Sequence, residues 1–284
     1  MTDDATPPGS QPGEAPSPAQ SRAYGWMLGS KDNYAVDREF IRQTLQLVPE
    51  GVDIARQNRL FLYRAVRYLA VEAGITQFLD LGSGYPTNNN VHQVAQTFQP
   101  DARVVYADID PIVLVHGHAL LADNPNTTVI TADMTQPEQI LNHPDTQRLI
   151  DFEKPVAVLM LSIPHCIPDD ADAQRAIFGP MERAVSGSYL ALTHVVADTD
   201  TQAEELTATI TEQGMPWKTR TPAQIDGWFQ HLERVDPGLC DIAHWRPDPD
   251  QPPLDNVPAE LAPYTGQSLR GKRVYEYGGV LRKP

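Results

Sequence analysis

The chain has 284 residues, 41% of them hydrophobic, enough for one large domain with a buried core. Its 22 Lys and Arg against 37 Asp and Glu leave a net charge of −15, which argues against a nucleic-acid partner because phosphate contacts need clustered cations. No apolar run approaches the roughly 18 residues of a membrane span, and the N-terminus lacks the basic-then-apolar pattern of a signal peptide. Cys166 and Cys240 form no C-x-x-C pair or zinc set, and His116 and His118, two apart on an expected helix, point to different faces. The expectation is a cytoplasmic protein with no metal and no membrane partner; a homo-oligomer is left open.

In chain order, residues 1 to 20 are rich in Pro, Ser, Gln and Ala, without Lys, Arg or aromatic residues, and read as a disordered tail. Ser21 to Tyr34 gathers Tyr24, Trp26, Met27, Leu28 and Tyr34 around Gly25 and Gly29 without clear periodicity. Helices are expected over Val36–Leu47 and Val52–Val71, the second from the helical spacing of Ile54, Phe61, Ala65, Tyr68 and Leu69. These segments make residues 21–74 an N-terminal cap or lid on a core of 75–284. From Gln77 the chain alternates: strands at 77–81, 103–107, 127–131, 155–162 and 187–195, helices near 89–98, 111–121, 136–142, 170–184 and 200–213. That order specifies a mostly parallel sheet covered by helices on both faces. A short capped helix at Thr221 and strands at Glu233–Asp241 and Val274–Leu281 would close the sheet with an antiparallel hairpin, and 247–263 reads as an irregular surface connection.

The strand Gln77-Phe-Leu-Asp-Leu runs straight into Gly82-Ser83-Gly84. Glycines there let the backbone turn sharply and approach a ligand where a Cβ would collide, and Asp80 stands at the strand's carboxyl end. A dinucleotide site wants G-x-G-x-x-G, but the third position here is Thr87, preceded by Pro86. The pattern is D-x-G-x-G, followed after the next strand by Asp108, whose two carboxylate oxygens suit a ribose diol. It resembles the class I S-adenosylmethionine-dependent methyltransferases.

Further segments bring the resemblance to the actinobacterial S-adenosyl methyltransferase family formerly classed as a domain of unknown function. They are Gly29-Ser-Lys-Asp-Asn-Tyr with Asp37-Arg38, the helix from Asn58-Arg-Leu-Phe, Pro86-Thr87 with Asn90-Val-His, Val105 to Pro111, Asp236-Pro-Gly-Leu, Trp245-Arg-Pro and the closing Tyr277-Gly-Gly-Val. The likeness spans 21–284. Gly25-Trp26 stands where the family usually has Asp-Tyr, and Ser30 replaces a common glycine. The resemblance implies a Rossmann-like, seven-stranded sheet and S-adenosylmethionine as cofactor, with a small-molecule methyl acceptor.

On this reading the cofactor residues are Asp80, Gly82, Ser83, Gly84, Asp108, Ile109, Asp133, Met134 and Ser162, with Lys31 and Asn33 from the lid. Asp133 and Met134 would meet the adenine, the alternative for Asp133 being a loop cap. Asp110, before Pro111, is the expected helix N-cap. His165, just past the fourth strand, is the candidate general base and acceptor contact, although methyl transfer can proceed by alignment alone. His194, alternating with apolar residues, reads as a buried histidine. Trp26 and Tyr34 either wall an acceptor pocket or pack in the core, and Lys31 and Asp32 are otherwise solvated charges. A regulator that binds the cofactor without catalysis would keep the same glycines and acids but lack an acceptor pocket.

Overall fold

The structure is a computed structural model that describes residues 18–85, 89–110, 113–115, 117 and 124–284. Elements follow in chain order as α1 (Gln20–Met27), α2 (Ala35–Leu47), α3 (Gly51–Val71), β1 (Gln77–Leu81), α4 (Val91–Phe98), β2 (Arg103–Asp108) and β3 (Thr127–Thr131). Then come α5 (Pro137–Leu141), α6 (Pro144–Leu149), β4 (Ala157–Met160), α7 (Asp170–Arg183), β5 (Tyr189–Ala197), α8 (Asp200–Glu212), α9 (Pro222–Trp228), β6 (Glu233–Arg234), β7 (Cys240–Asp241) and β8 (Val274–Arg282). Residues 113–115 and 117 are helical, and the rest of the helix expected at 111–121 lies outside the described residues, as do Pro86, Thr87, His116, His118 and the tail to residue 17.

The sheet runs β3-β2-β1-β4-β5-β8-β6, with β7 also on β8. The first five strands are parallel, and β8 lies antiparallel to β5 over nine register pairs, from Tyr189–Arg282 to Ala197–Val274. Eight strands replace the expected seven. The expected strand 233–241 is two short pieces, because Pro237 cannot donate to a ladder and Gly238 turns with φ of 92°. β1 and β4 are buried on both faces, as a central parallel sheet requires.

Alternation splits the strand side chains between two layers. Leu79, Leu81, Val105 and Val158 pack with Ala173 and Ile177 of α7, whereas Phe78, Val104, Leu159 and Val280 pack with Phe61, Ala65 and Leu69 of α3. Asp80, Asp108, Thr193 and Glu276 share the strand parity of this second group, so they stand on the α3 face.

The cap departs from expectation at α1, a helix where the sequence lacks a clear period. It is fixed by polar ties. Arg22 pairs with Asp37 (Nε to Oδ2 2.8 Å), and the Ala19 N–H donates to Asp37 Oδ1 at 2.9 Å, so the start of α1 is tied to α2. Trp26, 3% exposed, packs with Ala23, Ile41, Leu45, Val52 and Leu261. Its ring belongs to the cap core, which corrects the acceptor-wall role.

Candidate active site

α1 lies across the carboxyl ends of the central strands. Ser21 Oγ donates to Asp110 Oδ2 (3.0 Å) after β2, and Gln20 Nε2 meets Cys166 Sγ (2.5 Å) after β4. The expected cap for the following helix is thus partly used by the lid: Asp110 holds Ser21, while its backbone carbonyl accepts the Val113 N–H at 3.0 Å.

Below α1 sits the glycine turn. Gly82 has φ of 72° and Gly84 φ of 64°, both in the left-handed region that a side chain resists. A Cβ at Gly82 would stand 2.5 Å from Ile163 Cδ1 and 3.0 Å from Met134 Cε, so that glycine admits the apolar floor of the site. A Cβ at Gly84 would meet nothing within 4 Å. Among the described residues that space is open. Gly84→Ala is therefore expected to cost about 1 to 2 kcal/mol of stability through its φ and to weaken adenosylhomocysteine binding roughly tenfold in calorimetry. Unchanged affinity would show that the ligand passes elsewhere.

Acidic groups ring the turn. Asp108 Oδ2 accepts the Gly84 N–H (2.8 Å) and Oδ1 the Asp110 N–H (2.9 Å), which aims the carboxylate at the mouth. Burial nonetheless raises its pKa above the ordinary value, with the charge of Asp110 adding to the rise. Asp80 is 6% exposed and pushed up to about 7, first by burial and then by Asp108, against the pull of Arg59. Arg59, on α3, is drawn below its usual value by burial and supported by Tyr24, Tyr106 and Asp80, while Nη2 donates to Asn90 Oδ1 at 2.9 Å. Ile109 projects beside Asp108 with 64% of its surface exposed. Asp133 Oδ1 caps its own turn through Thr135 N and Oγ1 (2.9 and 2.8 Å), so the loop-cap alternative holds for that oxygen. Met134 is half-buried next to Gly82.

A profile of the S-adenosyl methyltransferase family matches residues 10–284. The chain belongs to that family. It is similar to a protein from Thermobifida fusca described as a candidate methyltransferase, with 41% identity, TM-score 0.80, and 94% of this chain and 95% of that one covered. It is also similar to a DUF574 family protein from Streptomyces avermitilis, with 36% identity, TM-score 0.81, and 94% and 98% covered. No curated protein matches it. This methyltransferase uses S-adenosylmethionine, and its sheet is that of the class I enzymes, mostly parallel with antiparallel strands at the end.

The turn fits that cofactor. Gly84 leaves open space beside the Asp108 carboxylate, and two carboxyls raised by burial stand near an arginine. Among the described residues no helix is long and apolar enough to cross a membrane, and no metal-binding cluster occurs.

Other expected residues stand apart from the turn. Lys31 is exposed, and Asn33 is used inside its own loop, donating to the Ser30 carbonyl (2.9 Å) and accepting from Arg38 (2.9 Å). Tyr34 caps α2 and lies under the Arg22 guanidinium, 5.1 Å from ring centre to Cζ. His165 is 2% exposed, its Nδ1 accepts the Val195 N–H (3.2 Å), and its ring lies 4.2 Å from Trp217 and 5.4 Å from His194. Burial, then the charges of His194 and Arg220, hold its pKa well below the ordinary value. A dry imidazole with so weak a hold on protons is packed as a structural histidine, and the general-base expectation is corrected accordingly. His194 is buried as expected, its Nε2 accepting from Arg220 Nη1 at 2.9 Å.

Arg59 and Glu276 were not singled out by the sequence reading. Each sits inside a predicted element as an ordinary charged position, and only the fold brings it to the site.

Proposed function

We propose that this methyltransferase acts on a small molecule in the cytoplasm, held between α1 and the corner that follows β4. The adenosylmethionine cofactor supplies a methyl group on a positively charged sulfur. Asp108, fixed by the Gly84 and Asp110 N–H groups, is placed to accept the ribose hydroxyls, and Ile109 to cover one face of the base. Asp133 and Met134 would border the adenine, Ser83 and Ser162 the sides of the cleft, and Arg59 the methionine carboxylate. Asp80 faces the ammonium end. Lys31 and Asn33, on the loop after α1, would reach the cofactor only from the rim, and Tyr34 would border the acceptor's entry beside Arg22.

α1 supports a lid reading, since Ser21 and Gln20 tie it to both sides of the cleft and exclude water from the transfer. The net charge of −15 supports an acceptor other than nucleic acid. No observation favours a regulator without catalysis.

The single observation that carries the reading is the open space at Gly84 beside a carboxylate fixed by its own N–H. Calorimetry tests it. Adenosylmethionine and adenosylhomocysteine should bind and NAD should not, and Asp108→Ala should lose about 1 to 3 kcal/mol of that affinity. Tight NAD binding with no response to either sulfur ligand would sink the assignment of the site.

A further inference from the structure

Glu276 ends a polar chain that begins in the lid. Tyr24 Oη donates to the Ala55 carbonyl (3.1 Å) and accepts from Asn58 Nδ2 (2.9 Å). Asn58 Oδ1 accepts the Thr193 hydroxyl (2.8 Å), and Thr193 Oγ1 accepts the Ser162 N–H (2.7 Å). Ser162 Oγ then donates to Glu276 Oε1 at 2.5 Å. The Thr193 hydroxyl, shared with Asn58, also pulls the Glu276 carboxyl down, so Ser162 and Thr193 together hold the carboxyl on one side.

The other oxygen, Oε2, is buried and has no hydrogen-bond partner among the described residues, on a side chain 2% exposed. Ionised, it lacks a donor; protonated, it lacks an acceptor. Leaving such a group dry costs on the order of 1 to 3 kcal/mol, a cost that sites for polar ligands commonly carry.

Its place in the fold points to the acceptor side. Glu276 pairs with Val195 near the carboxyl end of β5, on the α3 face. Ser162 and Ile163 are consecutive: the first binds Glu276, and the second lies against the Gly82 position. One corner therefore separates the glycine turn from the carboxyl. Ser162 holds this corner with φ of 61°, a left-handed conformation that a non-glycine residue rarely keeps. The titratable groups that face Glu276 are Tyr24 of α1 and Cys166 after β4, both pushed up to about 12 chiefly by burial and so neutral near pH 7.

We infer that Glu276 is the catalytic base of the acceptor site, and that the acceptor is a hydroxyl or amine whose hydrogen points at Oε2. This rests on the methyltransferase reading of the same cleft. A carbon nucleophile presents no polar hydrogen on the atom that takes the methyl group. In the transfer, the acceptor's oxygen or nitrogen bonds to the methyl carbon as the carbon–sulfur bond breaks, its electron pair going to sulfur. The proton on the heteroatom passes to Glu276. Burial raises this carboxyl to about 7 against the Ser162 and Thr193 hydroxyls, close to the pH at which a base works best.

The test uses the full chain with Glu276→Gln and Glu276→Asp, tritium-labelled adenosylmethionine and a fractionated metabolite extract as acceptor source. Adenosylhomocysteine affinity, read by calorimetry, should be the same in all three proteins. Label transfer should fall about 10² to 10⁴-fold in Glu276→Gln, recover in part in Glu276→Asp, and lose the acid limb near pH 7. The difference in infrared spectra between wild type and Glu276→Gln, both as adenosylhomocysteine complexes, should contain a protonated carboxyl band that titrates near 7, beyond the one Asp80 keeps in both proteins. The labelled product should carry its methyl on oxygen or nitrogen. Transfer within a few-fold of wild type in Glu276→Gln, a carbon-methylated product, or loss of adenosylhomocysteine binding in that variant would each overturn the inference. Failure of the wild type to bind either sulfur ligand would instead remove the reading beneath it.

Discussion

Asp37→Ala is expected to destabilise the protein by about 3 to 5 kcal/mol, because it removes the carboxylate half of a buried ion pair. The side chains of Arg22 and Asp37 are 6% and 0% exposed, with Nε to Oδ2 at 2.8 Å and Nη2 to Oδ1 at 3.1 Å. The same carboxylate also accepts the Ala19 and Tyr34 N–H groups, at 2.9 and 2.8 Å. The variant therefore loses the end of α1 and the start of α2 together. Urea denaturation measures the change, and a loss under about 1 kcal/mol would mean that the pair is no stronger than a surface one. Replacing both partners, as Arg22→Leu with Asp37→Leu, should recover part of the loss, since no lone charge is then left dry.

The second large effect is a pH profile. Asp80 and Glu276 have ordinary values of 3.8 and 4.5 and titrate near 7 in the folded chain. Between those limits the native state holds two protons that the unfolded chain has released, so their contribution is lost as pH rises toward 7. His165 and His194 act the other way. Both are held below 6.5 by burial, His194 at about 3, so under pH 6.5 the unfolded chain takes up protons that the native state refuses. The opposing pairs should leave the wild-type stability nearly level between about pH 5 and 6.5. Asp80→Asn with Glu276→Gln removes one side of the balance. As pH falls from 7 to 5, that variant should lose stability relative to wild type, by at most roughly 3 kcal/mol per pH unit for two groups. Denaturation series that run parallel in the two proteins would refute the raised carboxyls.

What the sequence made legible was local. β1 and β3 fall at 77–81 and 127–131 as expected, because each is a short run of strand-forming residues bounded by a turn. The glycine turn and Asp108 end neighbouring strands of a recognisable strand-turn-helix-strand order, so their motif survives translation into geometry although they are 24 residues apart. α1 escaped because its determinants, Arg22 with Asp37 and Ser21 with Asp110, are partners 15 and 89 residues apart. Glu276 lies 114 residues from Ser162, and only the placement of β8 beside β5 joins them. Trp26 and His165 had chemistry that suited a pocket, but Trp26 packs into the cap core and His165 Nδ1 is taken by the Val195 N–H, and both are set by the neighbours.

The strands and loops that frame the two halves of the cleft differ in how they are spread along the chain. The residues that would grip the methyl donor at its nucleoside end fall within one span of the sequence, 84 to 134. The carboxyl at 276 is framed by positions 24, 58, 162 and 193, drawn from four separate stretches. Substitutions can therefore accumulate around the carboxyl one segment at a time without passing through the glycine turn. Chains built on this plan are free to diverge in what they methylate while keeping a single methyl donor.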